Sequence, residues 1–230
     1  AWLKRKRFRI RHDVGAISAE KGYLRETGNL LFHLSLILIL IGISVGSLFG
    51  MRGEAIVNKG ERFISLPTSY DTLSFGKLVD ENVIQPFIVE VEDFQAKYNP
   101  VTNAPQDYTA TVRVTNPGEE SSQIKILKVN SPLTFGNTRV YLQANGYSPI
   151  VTVRDLSGNV VFQGPVPFLP QDGNLRSIGA IKVPDARPQI GFVASFLPTY
   201  VRSATDGGVS VFPEALNPKL LFSIWPVSYT

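Results

Sequence analysis

The chain has 230 residues, of which 43% are apolar, and that is enough for a globular core of one or two domains. It contains no cysteine, which excludes disulfides, zinc–thiolate sites, iron–sulfur ligation and thiol nucleophiles within it. The net charge of +4 is local, because residues 1–29 hold eight lysines and arginines against three acidic residues. A short basic segment beside an apolar run favours a membrane flank over a nucleic-acid surface, so no nucleic-acid partner is expected.

The first predicted segment is basic and juxtamembrane, spans residues 1–29 and contains the run KRKRFRIR. Positive charge on this side of an apolar helix predicts, by the positive-inside rule, that the segment lies in the cytoplasm. His12, among charged neighbours, is expected to be a solvated loop residue. Ser18–Asn29 is predicted to form a turn at the membrane interface. Since Ala1 is not an initiator methionine, we expect an internal piece of a longer protein.

Residues 30–50 are predicted to form a transmembrane helix. Leu30–Phe49 is a stretch of about twenty residues without a charge, the length that crosses a hydrocarbon core of about 30 Å. A secretory signal peptide is the competing interpretation, but its apolar region is shorter, at about 7 to 15 residues. Thr27 or Asn29 is placed to cap the helix. Residues 51–230 would then lie outside the cytoplasm.

His33 needs an explanation, because an imidazole gains nothing from lipid. It lies about 5 Å along the helix axis from Leu30, so its ring either reaches the headgroups or has a function inside a bundle. No residue of the span is placed as its catalytic partner, whereas a single imidazole can supply one axial nitrogen to a haem iron. The residues alone leave both interpretations open.

The predicted helix also has the features of a helix with neighbours. Two hydroxyls, on Ser44 and Ser47, share the stripe of His33 at 100° per residue. Three glycines at a spacing of four residues allow another helix to approach closely: Gly42, Gly46 and Gly50. The partner helices would have to come from outside this chain.

From Arg52 onward, apolar residues recur with period two, which predicts short strands. One face of YTATVRV holds four such residues: Tyr108, Ala110, Val112 and Val114. Ile124 and Ile126 share one side of QIKILKV, and residues 157–159 are predicted to turn a hairpin. The 16 prolines and 19 glycines argue against long helices. We expect one transmembrane α-helix followed by a mostly-β extracytoplasmic domain, a sandwich or open barrel of short antiparallel strands that is incomplete here.

No metal cage, phosphate loop or hydrolase motif stands in the strand-rich region, which therefore resembles a binding or scaffolding module. Three longer stretches resemble the ResB-type cytochrome c biogenesis proteins, the partners of the CcsA-type haem handler in system II: Ser18–Leu36, Val91–Pro100 and Asn130–Val153. The segments FLPT and FPEALNPKL are similar to the family too, particularly to its actinobacterial members. Only His33 matches the position of the family's intramembrane histidine.

This resemblance implies a subunit of a cytochrome c assembly complex, which takes haem across the membrane and presents it for covalent attachment to apocytochrome c. The implied partners are a CcsA-type membrane subunit, apocytochrome c and membrane lipid. The implied cofactor is haem b, transported or transiently bound and shared with the partner subunit, with His33 as an axial ligand of the haem iron. The chain lacks the partner's tryptophan-rich segment, so the resemblance makes it a component of a cytochrome c haem lyase complex rather than an enzyme alone.

Two other functions stay open at this point. A b-type cytochrome subunit that passes electrons across the membrane would want haem ligands at two depths, and this span offers one. A single-pass scaffold, whose β domain binds another protein, would make His33 incidental.

Overall fold

The computed structural model describes residues 2–6, 8–116, 118, 121–184, 186, 189–203 and 207–226. Its helices are α1 (Trp2–Arg5) and α2 (Tyr23–Phe49), with single 3-10 turns at Pro67–Ser69 and Glu81–Val83. Its strands are short, and in chain order they are β1 (Arg9–Asp13), β2 (Ala16–Glu20), β3 (Met51–Glu54), β4 (Arg62–Ile64), β5 (Thr72–Phe75), β6 (Ile88–Tyr98), β7 (Pro105–Thr115), β8 (Gln123–Lys128), β9 (Leu133–Phe135), β10 (Thr138–Val140), β11 (Ile150–Arg154), β12 (Val160–Pro165), β13 (Leu169–Pro170), β14 (Ser177–Val183), β15 (Ile190–Leu197), β16 (Tyr200–Val201), β17 (Val209–Ser210) and β18 (Lys219–Pro226).

The chain divides into two compact units. The first comprises residues 1–52 and 74–83, and the second comprises residues 53–73 and 84–230. The first unit contains both helices and the hairpin β1–β2, whereas the second contains two four-stranded sheets and both apolar cores.

The segment before the long helix is a β-hairpin. Strands β1 and β2 pair antiparallel from Arg9↔Glu20 to Asp13↔Ala16, around a turn whose Gly15 has φ +83°. The predicted interfacial turn at Ser18–Asn29 is therefore wrong, since it begins as strand and continues as helix. His12 is exposed as predicted, but it lies in β1 rather than in a loop.

Helix α2 begins seven residues before the predicted start. It follows Gly22, whose left-handed backbone (φ 107°, ψ 20°) interrupts the strand, and no side chain caps it. Thr27 and Asn29 lie inside the helix, so the prediction that one of them caps it is wrong. The stretch Arg25–Phe49 is long and apolar enough to cross a membrane, and none of its apolar window is buried by the described part of the chain. A core helix of a globular domain would be mostly buried.

The first four-stranded sheet has the order β4-β6-β7-β8 and is antiparallel. As predicted, one face of β7 is buried through Ala110, Val112 and Val114, with Tyr108 half-buried beside them. Aromatic stacking extends this core: the rings of Phe87 and Phe135 lie 4.2 Å apart at 10°.

Strand β8 presents Ile124 and Ile126 on one side, as predicted, and this is the exposed side. Each isoleucine is 50% exposed, whereas Leu127 on the opposite face joins the core at 6% exposure. The sequence pattern placed the two isoleucines correctly relative to each other, but it did not tell the inner face from the outer one.

The second four-stranded sheet has the order β13-β14-β15-β18 and is also antiparallel. Its inner face packs with Phe168, Ile181, Val183 and Phe196 in a separate core. The hairpin predicted around residues 157–159 is confirmed as β11–β12. The chain thus has an N-terminal apolar helix followed by short antiparallel strands in open sheets.

Candidate functional site

His33 lies in the apolar part of α2, about 15 Å along the axis from the start of the helix at Tyr23. Its side chain is exposed in the described chain, and the ring of Phe32 stands edge-on to it at 5.5 Å. Phe49 lies about 24 Å further on, so the imidazole is much nearer the N-terminal end of the helix. A ring at this depth requires a polar partner if hydrocarbon surrounds the helix.

One nitrogen of the imidazole is already bonded within the helix. Nδ1 of His33 lies 2.8 Å from the backbone carbonyl oxygen of Asn29, one helical turn earlier. Because a carbonyl oxygen only accepts hydrogen bonds, Nδ1 must carry the hydrogen and donate it. In the neutral ring the lone pair then lies on Nε2, the atom that can bind a metal ion. Histidine ligands of metals are commonly fixed by a bond of this kind from their other nitrogen.

The rest of the helix does not use Nε2. In the part of the chain that the structure describes, no hydrogen bond to Nε2 is present. The hydroxyl of Ser44, on the same stripe, donates to the carbonyl oxygen of Leu40 at 2.8 Å and so satisfies itself locally. The hydroxyl of Ser44 therefore lies on the same face as His33, but its hydrogen bond goes to Leu40 and not to the imidazole.

The glycines form a different face of α2. At 100° per residue, Gly42 lies about 180° around the helix from His33. A Cβ built on Gly42 or Gly46 meets no other atom within 4 Å in the described structure, so a second helix has room to approach there. Helix α2 thus carries an imidazole on one side and glycines, which allow close helix packing, on the other.

The described residues of the second unit hold no comparable constellation. No group of three or more potential metal ligands occurs among the described residues. Two of its described carboxylates form exposed ion pairs: the hydrogen bond from Lys59 lowers the pKa of Asp93, and that from Lys128 lowers the pKa of Asp107. Burial raises the pKa of Tyr98 and of Tyr147, and both phenols are hydrogen-bonded. Nothing in this arrangement resembles an acid–base pair.

An open cleft of about 420 Å³ lies between residues 102–105 and 172–174. Its polar groups are occupied by the fold, since Nδ2 of Asn103 donates to Oδ1 of Asn174 and to the carbonyl oxygen of Val211, each at 2.8 Å. Every buried side-chain nitrogen and oxygen among the described residues has a partner. The cleft is therefore built as a junction of loops and not as a polar ligand site.

Two features of the first unit escaped the sequence interpretation. The bond from His33 to Asn29 needs only a carbonyl one turn earlier, so any helix through His33 contains that acceptor. The hairpin β1–β2 was missed because its strands are basic, and charge obscured the alternation of Phe8, Ile10 and His12.

Comparison with known proteins gives one family and a set of relatives. The family model described as the ResB-like family matches residues 1–228. A protein from Prochlorococcus marinus named cytochrome c biogenesis protein CcsB is 30% identical over 152 residues, which cover 66% of this chain and 32% of that protein. A protein of the same name from a Synechococcus species is 29% identical over 210 residues, 91% of this chain and 43% of its own.

A third relative with that name, from Synechococcus elongatus, is 26% identical over 195 residues, 85% of this chain and 41% of its own length. The chain thus spans between 32% and 43% of the lengths of these curated relatives. No solved structure matches the chain.

Proposed function

The chain belongs to the ResB-like family, and from that premise we propose that it is the part of a membrane subunit that delivers haem to apocytochrome c during cytochrome c maturation. The assignment to cytochrome c maturation is supported by relatives that are named cytochrome c biogenesis protein. The single observation that carries the haem role is the imidazole of His33, with Nδ1–H bonded to Asn29 and Nε2 left to coordinate.

Helix α2 spans the membrane in this proposal. Its charge-poor stretch matches the thickness of the hydrocarbon core, and its apolar surface is exposed along its length. The basic residues before it favour a cytoplasmic position for residues 1–29, and in this proposal residues 51–230 belong to the extracytoplasmic β-rich domain.

His33 supplies one axial nitrogen to the haem iron, near the cytoplasmic end of the span. A carbonyl-bonded Nδ1 orients the ring and leaves the lone pair on Nε2, which favours coordination of iron. Haem contributes the vinyl groups that become joined to the two thiols of a CxxCH apocytochrome. Haem is handled here as cargo, and His33 holds it during transfer.

The second axial nitrogen comes from a CcsA-type membrane subunit. Helix α2 has one histidine, so a six-coordinate iron needs a ligand from another helix that faces the same side. The glycine face opposite His33 is free to pack against a further span. The chain is therefore one component of a haem lyase complex, and its β-rich domain holds the partner or the apocytochrome near the exit.

The test uses the full-length protein co-expressed and purified with its CcsA-type partner. We expect His33→Ala to reduce haem occupancy at least about tenfold and to stop cytochrome c maturation, because the iron loses a ligand. Added imidazole should restore part of the haem spectrum, since it can occupy the vacated coordination position.

His12→Ala is the matched control, because His12 is exposed in β1 and bonded into no site described above. It should leave haem content and maturation unchanged. Full haem occupancy in His33→Ala would remove the ligand role. Maturation that survives His33→Ala, but fails without the β-rich domain, would favour the scaffold.

A further inference from the structure

The hairpin β1–β2 has an apolar face. The strand register pairs Ile10 with Ala19 and His12 with Ile17 on that face. Phe8 precedes this row, and the ammonium of Lys21 lies 5.4 Å from the centre of its ring. Ile17 is 65% exposed, and all of β2 is exposed in the described structure.

A two-stranded hairpin of this kind is stabilised when its apolar face packs against another surface. Isolated hairpins are at best marginally stable in water, and stability normally comes from a core packed on one face. Neither apolar core of the described chain includes a residue of β1 or β2. The face that holds Ile10 and Ile17 is therefore available to a surface outside the described chain.

The membrane is the surface that the hairpin cannot avoid. Strand β2 ends at Glu20 and α2 begins at Tyr23, so at most about 10 Å of chain separates them. That distance is close to the Debye length of about 8 to 10 Å, within which charges sense a charged surface. If α2 enters a bilayer, the hairpin is held in the headgroup region.

The charge of the segment selects anionic lipid. Exposed cations precede, lie within and follow the hairpin: Arg5, Lys6, Arg11, Lys21 and Arg25. Clusters of four to eight lysines and arginines beside a membrane helix are typical of binding to anionic headgroups. A sheet is about 10 Å thick from face to face, so the arginines on the polar face stay about one Debye length from the phosphates.

We propose that the hairpin β1–β2 docks on the anionic lipid surface of the membrane that α2 enters, with Ile10 and Ile17 inserted between headgroups. The apolar face sets the orientation and the cations set the affinity, as in amphipathic segments at interfaces. This inference rests on the membrane placement of α2 in the proposed function. It does not depend on whether His33 binds haem.

The experiment places a fluorescent label at single cysteines in the full-length protein, with any cysteines outside this chain replaced by serine. Ile17→Cys reports the apolar face, and Ser18→Cys reports the opposite face one residue away. Ile41→Cys, in the middle of α2 and about 80° around the helix from His33, reports whether the helix is in lipid. The protein is reconstituted in phosphatidylcholine vesicles with and without about 30 mol % phosphatidylglycerol.

Quenching by nitroxide-labelled lipid and by aqueous iodide is compared at each position. We expect lipid quenching at position 17 to exceed that at position 18 at least about threefold, and to rise with phosphatidylglycerol. Iodide should show the reverse order, because position 18 faces water.

Equal quenching at positions 17 and 18, or no response to phosphatidylglycerol, would overturn lipid docking. Protection of position 17 from both quenchers would also overturn it, and would assign the face to a protein partner. Position 41 separates the two proposals. Weak lipid quenching there contradicts the membrane placement itself, whereas strong lipid quenching there, with no difference between positions 17 and 18, contradicts only the docking of the hairpin.

Discussion

A single hydrogen bond decides what His33 can do. With Nδ1 bonded to the carbonyl of Asn29, the ring is fixed as the tautomer that offers Nε2. The sequence identified the residue, because an ionisable group in an apolar helix is conspicuous. It could not identify the usable nitrogen, since that depends on the rotamer of the side chain on a formed helix.

Tyr147 gives a residue-scale prediction in the second unit. Its hydroxyl donates to the carbonyl oxygen of Pro213 at 2.8 Å, and its ring packs 5.0 Å from that of Phe196. Tyr147→Phe keeps the ring and removes the bond, so the unfolding free energy of this unit should fall by about 1 to 2 kcal/mol at neutral pH. Hydrogen exchange of the amides of β14 and β15 in the full-length protein measures this change in unfolding free energy.

The same position predicts a pH dependence. Burial raises the pKa of Tyr147 above the ordinary value of 10.0, so the folded state favours the neutral phenol. Its contribution to stability is complete below pH 10 and is lost as the pH rises through the folded pKa. The difference between native protein and Tyr147→Phe should therefore narrow above pH 10. A difference that widens there contradicts this assignment.

Among the secondary-structure elements, strand patterns were the most predictable feature. Alternation found β7 and its buried face, and a turn-forming tripeptide found the hairpin β11–β12. The hairpin β1–β2 and the true start of α2 were missed, because charge and a single left-handed glycine carry little periodic signal.

Strand β8 supplies a matched pair of variants. Leu127→Ala removes a side chain that is 6% exposed in the core and should lower the unfolding free energy by about 2 to 5 kcal/mol. Ile126→Ala, one residue away and 50% exposed on the other face, should change it by less than about 0.5 kcal/mol. Hydrogen exchange of β7 measures both. A large effect at Ile126 would instead indicate a surface covered in the assembled protein.

The turn of β11–β12 should be sensitive to acid. Oδ1 of Asp155 accepts the backbone N–H groups of Ser157 and Asn159, each at 2.8 Å, and the side chain and backbone of Asn159 lower the pKa of Asp155. This contribution is present above the unfolded pKa of 3.8 and is lost as the pH falls through the folded pKa. The protection factors of the turn amides, taken against the intrinsic exchange rates at each pH, should fall there, and Asp155→Asn should abolish that pH dependence.

On the scale of the whole molecule, the second unit has two cores joined by loops. Asn103, between β6 and β7, takes a left-handed backbone (φ 59°) and bonds to Asn174 and Val211 from the other half of the unit. We expect this link to couple the unfolding of the two open sheets, although their cores are separate.

Asn103→Gly should uncouple the two sheets. Glycine tolerates the positive φ, so the variant removes the two side-chain bonds without adding backbone strain. We expect a loss of about 1 to 3 kcal/mol in the unfolding free energy. The exchange midpoints of β7 and β14 should coincide in the native protein and differ in Asn103→Gly. Val101→Ala, in the same loop and 89% exposed, serves as the control and should have no effect. Coincident midpoints in Asn103→Gly would show that the cores are coupled elsewhere.

Composition and residue spacing in the sequence by itself determined three features: a charge-free helix of membrane length, an imidazole within it, and short alternating strands after it. These features depend on local periodicity and on the cost of moving charge into lipid. Tertiary structure alone decided which face of β8 is buried, that the strands form two cores, and that the basic N-terminal segment is an amphipathic hairpin. Pairing between strands sets each of these. For β8 and the two cores the partners are distant in the chain and leave no local signal, and in the hairpin β1–β2 charge obscures the alternation.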